Sequence, residues 1–245
     1  MVTMVHTRCV AVKACLNGGR TRAEHARVPQ TPAELAADAV AAQAAGAFAV
    51  HLHPRRDDGL QTMEAKACDA AVVAIRSAAR RLPIGLSTAA EINPDPFARA
   101  AAMTAWRHRP DFVSVNLYEV GWAGIARAAL HAGIAVEAGL STPAEAEELR
   151  GSPFAHQVLR ALVVVDGGAD DARAIAELIP PGVPQLWHGV GPRTWEVIAA
   201  AGEAGIDVRV GLEDVLVLPD GRIAADNAEL VAAAVALVSP PPVSP

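Results

Sequence analysis

One pattern governs this chain. A short β-branched or apolar run, then an Ala-rich helical stretch, then a turn, recurs eight times along 245 residues. Strand-like runs fall at residues 10–16, 48–53, 84–88, 112–117, 134–138, 161–165, 185–189 and 208–212. Helical stretches follow at 31–45, 63–79, 96–107, 122–131, 143–149, 170–178, 194–201 and 227–238. The first helix opens on Thr31-Pro32-Ala33-Glu34: a capping residue, a proline suited to the first turn, and the glutamate of a capping box. Thr142-Pro143-Ala144-Glu145 repeats that opening, and Gly46 is placed to end the first helix. Each unit spans about 30 residues, the size of one strand-plus-helix repeat. Eight such units with no break in composition predict an α/β fold, a TIM (β/α)8 barrel, with residues 1–245 as one domain. A doubly wound open sheet is the alternative. The proline-rich tail at 239–245 is expected to lack structure.

Composition narrows the function. The chain is 52% apolar and 20% charged, as globular proteins are. Its net charge of −6 and 4% aromatic content argue against a surface for nucleic acid or anionic membrane. No apolar run approaches the roughly 18 residues of a membrane helix, and residues 1–12 lack the apolar centre of a signal peptide. Cys9, Cys15 and Cys68 form no CxxC pair, which points to reduced thiols in a cytoplasmic protein.

In a barrel of this kind the active site lies at the carboxyl ends of the strands. The sequence places many polar residues there: Asn17, His51, His53, Ser87, Thr88, Asn116, Glu119, Glu137, Asp166, His188, Arg209, Glu213 and Asp214. The sharpest feature is His51-Leu52-His53, because residues at i and i+2 on a strand share a face. Two hydrogen-bonded histidines at a strand end would look the same. Glu213 and Asp214 follow the eighth strand. Closure would bring that strand within two of His51 and His53, about 10 Å between axes. Two histidines and a glutamate with an open position form a typical catalytic zinc set. The alternative for Glu213-Asp214 is a solvated helix start, and for Arg209 a salt bridge at the strand end.

These residues resemble a known family. The His51-Leu-His53 strand, Leu86-Ser87-Thr88, Val115-Asn116-Leu117 and Arg209-Val-Gly-Leu-Glu-Asp214 are similar to the β-keto acid cleavage enzymes. Gly221 and Asn227-Ala-Glu-Leu-Val231, with Lys13-Ala-Cys-Leu-Asn-Gly18 at the start, extend the likeness over residues 9–238. The resemblance implies a TIM barrel and zinc held by His51, His53 and Glu213. It implies that a β-keto acid and acetyl-CoA yield acetoacetate and a new acyl-CoA by Claisen and retro-Claisen steps. It implies Asp214 as base, assisted by Arg209, with Ser87 binding the reacting groups. Homo-oligomers are the expected assembly. Asn17, Arg20, Thr88, Asn116, Glu119 and Glu137 are the candidate substrate-binding side chains, with helix capping an equal reading for Ser87 and Thr88.

Two departures stand out. Many relatives are longer, so the region that would wrap coenzyme A is expected to be trimmed or supplied by a neighbouring subunit. After the first strand the family often carries a glutamate that recognises an amino group, whereas Asn17-Gly18-Gly19-Arg20 stands here. Arg20 in that place would favour a neutral or acidic β-keto acid, unless it is only a solvated loop cation. A metal-dependent aldolase or lyase without coenzyme A, a non-catalytic paralogue, and phosphate chemistry at Gly167-Gly168 or Gly189-Val190-Gly191 are the competing readings.

Overall fold

The computed structural model describes residues 9–239. The eight strands close into a parallel barrel in sequence order, so the expected topology holds. They are β1 (Val12–Cys15), β2 (Ala47–Leu52), β3 (Ile84–Ser87), β4 (Phe112–Asn116), β5 (Ala135–Leu140), β6 (Arg160–Val165), β7 (Gln185–Gly189) and β8 (Asp207–Val210). The helices between and after them are α1 (Pro32–Ala44), α2 (Ala65–Ala78), α3 (Pro96–Ala105), α4 (Trp122–His131), α5 (Pro143–Gly151), α6 (Ala169–Ala176), α7 (Thr194–Ala204) and α8 (Asn227–Val238). None is long and apolar enough to cross a membrane. Ser239 ends α8, and residues 240–245 of the expected unstructured tail lie outside the described residues, as do residues 1–8.

The period of two along each strand sorts its residues. Ala14, Val50, Leu86, Val113, Val136, Val163 and Val208 join Leu35, Ile75, Ile125 and Val197 of the helices in one apolar core. Their neighbours in sequence face the barrel's interior: Lys13, His51, Ser87, Ser114, Glu137 and Arg209 are all buried there. Caps set the helices as their sequences suggest. Thr31 accepts from the Glu34 amide at 3.3 Å while Glu34 accepts from the Thr31 amide at 3.0 Å. Asp95, Thr142 and Asp226 cap α3, α5 and α8 by accepting from the Phe97, Glu145 and Glu229 amides.

The seam between the first and last strands decides where the site lies. Lys13 pairs in register with Arg209. β8 stops at Val210, two residues earlier than the sequence suggests, because the chain turns at Gly211. A Cβ there would stand 1.9 Å from the Cys15 carbonyl oxygen, so only glycine permits the approach. Asn227, the first residue of α8, locks the turn. Its Oδ1 accepts from the Leu212 amide at 2.7 Å, and its Nδ2 donates to the Leu16 carbonyl at 2.8 Å and to Asp38 at 2.6 Å. Burial, with help from Asp226, pushes the Asp38 carboxyl up to about 6 against an ordinary value of 3.8.

That raised value has a direction for stability. The native state favours protonated Asp38, so its contribution is full below about pH 4 and is lost as pH rises through 6. Asp38→Asn keeps an acceptor for Asn227 and removes the buried charge. It is expected to raise stability at pH 7.5 by about 1–3 kcal/mol, with the advantage vanishing near pH 4. Urea unfolding of both proteins at the two pH values measures this, and equal stabilities at pH 7.5 would contradict it.

Candidate metal centre and active site

His51 and His53 occupy successive inward positions at the end of β2, with His51 in register with Cys15 on one side and Gly85 on the other. Their rings meet edge to face, centroids 5.2 Å apart. Gly18 has φ +51, and a Cβ on it would fall 2.4 Å from the Glu213 Cγ. A glycine at this point of the β1 loop is what lets the glutamate swing over the mouth. The Glu213 carboxylate then faces both rings: His51 Nε2 is 3.7 Å from Oε2, and His53 Nε2 is 3.8 Å from Oε1. One ligand atom from each of the three residues lies within 4.8 Å of the others.

The donor set fits a divalent metal. Glu213 Oε2 is buried and has no hydrogen-bond partner, while Oε1 accepts from Arg209 Nη2 at 2.7 Å. Burial alone would raise the Glu213 carboxyl. Arg209 and the two imidazoles outweigh it and hold Glu213 well below the usual carboxylate range. Burial pushes His51 down to about 3, leaving an uncharged imidazole, the form that ligates. Both Nδ1 atoms are engaged elsewhere: His53 Nδ1 by Gln61 Oε1, His51 Nδ1 by Ser114 Oγ at 3.3 Å. Both Nε2 atoms are left for the shared centre.

Asp214 sits next to this triad. Arg209 Nε donates to its Oδ2 at 3.2 Å and Nη2 to Oδ1, so one guanidinium spans Glu213 and Asp214. Burial, reinforced by the Glu213 charge and restrained by Arg209, pushes the Asp214 carboxyl up to about 6. His188 Nε2 lies 3.4 Å from Asp214 Oδ1, and burial pushes this histidine far down, so it is uncharged. A cavity of about 190 Å³ opens over the triad, walled by His51, His53, Ser87, His188, Arg209 and Glu213 among others; Asp214 is buried beside it and is not part of the wall.

The other expected site residues divide into three groups. Ser87 and Asn116 reach the cavity wall, though Ser87 Oγ also accepts from the Ala89 amide at 3.3 Å. Asn17 and Thr88 hold backbone instead. Asn17 accepts from the His53 amide and donates to the His53 carbonyl, both at 2.9 Å, and Thr88 Oγ1 donates to the Ser114 carbonyl at 2.7 Å. Glu119 turns to Arg99 and accepts from Asn116 Nδ2 at 2.8 Å, fixing that amide.

Two expectations are corrected. Glu137 is not at a strand end. It is the third residue of β5, fully buried inside the barrel, where Lys13 and Arg160 neutralise it. Arg20 does not point at the cavity. It donates to the Glu213 carbonyl at 3.3 Å and to Glu24 at 3.0 Å, and it is not among the side chains that wall the cavity. The glycines offered for phosphate also have other roles. The Ala169 amide at the start of α6 already donates to Glu196 at 3.1 Å, and a Cβ on Gly189 would meet the Arg193 carbonyl at 2.6 Å. Asp166 is exposed.

Sequence reasoning passed over Ser114, Gln61 and Arg99, and left His188 without a role. Ser114 was findable: it stands two residues before Asn116, on the same face of β4. Gln61 was not, because it arrives from a loop through an isolated bridge between Arg55 and Gln61.

The fold is a closed (β/α)8 barrel, with His51, His53 and Glu213 at the carboxyl end of its strands placed so that they could hold a metal ion. The chain belongs to the beta-keto acid cleavage enzyme family, whose model matches residues 9–168 and 144–240. It is 26% identical over 241 residues to a 3-keto-5-aminohexanoate cleavage enzyme of Fusobacterium nucleatum subsp. nucleatum, covering 90% of this chain and 88% of that one. Solved structures share the fold. A complex of ObcA with oxaloacetate superposes with a TM-score of 0.64 at 18% identity, over 84% of this chain. The chain spans 62% of the length of that protein. The 3-dehydroquinate dehydratase of Aquifex aeolicus VF5 gives 0.60 at 13% identity, over 93% of this chain and 97% of that one.

Proposed function

We propose that the protein is a zinc-dependent enzyme that converts a β-keto acid and acetyl-CoA into acetoacetate and a new acyl-CoA. The observation that carries this is the convergence of His51 Nε2, His53 Nε2 and the unpartnered Glu213 Oε2, one residue from a buried carboxyl. Two imidazoles and a carboxylate with room for more ligands are the donor set of catalytic zinc. Zinc held there supplies Lewis-acid polarisation of the keto and carboxylate oxygens of a β-keto acid.

The protein's own groups do the rest. Asp214 takes the proton from the carbon between the keto group and the carboxylate; a carboxyl raised towards neutrality suits that task. Arg209 fixes the orientation of Asp214, and its two contacts keep the carboxylate from rotating away. The freed carbon bonds to the acetyl carbonyl and expels coenzyme A as its thiolate; the thiolate adds to the original keto carbonyl, the bond from that carbonyl to the central carbon breaks, and the proton held by Asp214 returns to that carbon, which gives acetoacetate and the new acyl-CoA. Ser87, at the wall, donates to the oxygen that becomes anionic in these steps. The proposal includes a reducing cytoplasmic setting, in keeping with free Cys9, Cys15 and Cys68. It also includes a homo-oligomer, supported by Phe97 and Val120, 84% and 83% exposed near the mouth.

The test is a panel of β-keto acids, neutral, acidic and aminated, each incubated with zinc-loaded protein and acetyl-CoA and scored for acetoacetate. Release that depends on acetyl-CoA is the expected result. Cleavage that proceeds without it would replace the proposal by a lyase, and inertness towards the whole panel would overturn it.

A further inference from the structure

A set of charges lies beneath the mouth, out of reach of any substrate in the cavity. Lys13 of β1, Glu137 of β5 and Arg160 of β6 are buried in the barrel interior, with Glu137 bonded to both cations. Arg160 Nε donates to Glu137 Oε2 at 2.5 Å, and the Arg160 guanidinium stacks 4.8 Å from the Phe112 ring centroid. Burying three ionised groups is costly even when they are paired. Their outlet towards the mouth is Ser114, whose Oγ is 2.9 Å from Glu137 Oε1 and 3.3 Å from His51 Nδ1.

A hydroxyl has one proton to give. Glu137, paired with Lys13 and Arg160, is ionised and can only accept, so the Ser114 proton goes to Glu137. The lone pairs of Oγ are then turned to His51, and the ring nitrogen they face must be the donor. An imidazole with its proton on Nδ1 has its lone pair on Nε2, the atom that faces Glu213 across the shared centre. We propose that Ser114 is a positioning residue that fixes the tautomer of His51, and that the buried set Lys13–Glu137–Arg160 fixes the direction of the Ser114 hydroxyl. The inner charges thus prepare a ligand at the mouth without touching metal or substrate. His53 reaches the same tautomer by a different route, through Gln61 on the surface loop. The inference rests on the proposed metal centre for its purpose, though not for its geometry.

The experiment uses metal-free protein labelled with nitrogen-15 at histidine, above pH 7, followed by zinc titration against a chelator. In the wild type, His51 is expected to show a protonated Nδ1 and a bare Nε2. In Ser114→Ala, which removes only the hydroxyl, the ring is expected to become a tautomer mixture, with zinc affinity falling 10–100-fold. Ser114→Thr, which keeps the hydroxyl, is expected to restore both. A wild-type His51 protonated on Nε2 would overturn the proposal without any variant. So would a Ser114→Ala protein with unchanged tautomer and affinity. If wild type takes up no zinc, the metal reading fails, and the tautomer measurement still decides the role of Ser114.

Discussion

The His51→Ala protein is expected to fold and to lose its zinc. His51 is buried in the mouth, and its Nε2 is one of three ligand atoms held within 4.8 Å of each other. Removing it leaves His53 and Glu213, and Glu213 is already shared with Arg209 through Oε1. Losing a supporting partner behind a ligand commonly lowers affinity 10–100-fold. Losing the ligand itself is expected to exceed that range, so metal content after dialysis should fall from near one equivalent to near zero. Turnover should vanish with it. The cavity left by the ring lies next to polar groups and admits water, so the cost to the fold should be modest. Elemental analysis and thermal unfolding of the same samples check both halves. Normal zinc occupancy in this variant would dismiss the ligand assignment.

The second large effect separates chemistry from metal binding. Asp214→Asn keeps the size of the side chain and leaves an oxygen for Arg209, yet it removes the carboxylate proposed as the base. Zinc content should stay at the wild-type level, because Asp214 is outside the ligand set. Turnover should fall 10²–10⁴-fold, the range over which positioned bases contribute. Rates on the best substrate of the panel, with metal content measured alongside, give the answer. Full activity in Asp214→Asn would remove Asp214 from the role of base.

Much of this fold and site is legible in the sequence. The recurrence of strand and helix, the paired caps at Thr31 and Thr142, and the same-face spacing of His51 and His53 are local signals, and local signals survive in one dimension. Glu213 could be joined to the histidines only by assuming a closed barrel, since closure is what makes the last strand a neighbour of the first. The errors share a physical cause. Glu137 was assigned to a strand end because β5 was thought to stop at Ala138, whereas it continues to Leu140. Arg160 was left outside its strand by one residue. That one residue hides a charge inside the barrel, because the side-chain period is two. Arg20 was misjudged for another reason: a long side chain in a loop has several partners within reach, and only the fold shows that it chose Glu24 and the Glu213 carbonyl.

The stitched seam between β1 and β8 carries one more consequence. Both histidines arrive early in the chain and the glutamate arrives nearly last, after the barrel's final strand. A fragment ending at α6 would hold two ligands and no third. Nor would a ring of eight strands left open at this seam hold the third where it is needed. Metal uptake therefore reports that the circle has been completed, at Gly211, Asn227 and the Leu16 carbonyl. An ion held there would act as a clasp: it would add its free energy only to the closed state, and unfolding followed at rising free zinc concentration is expected to show increasing stability. Gly211 and Asn227 thus serve the barrel's closure and the placement of Glu213 at a single joint.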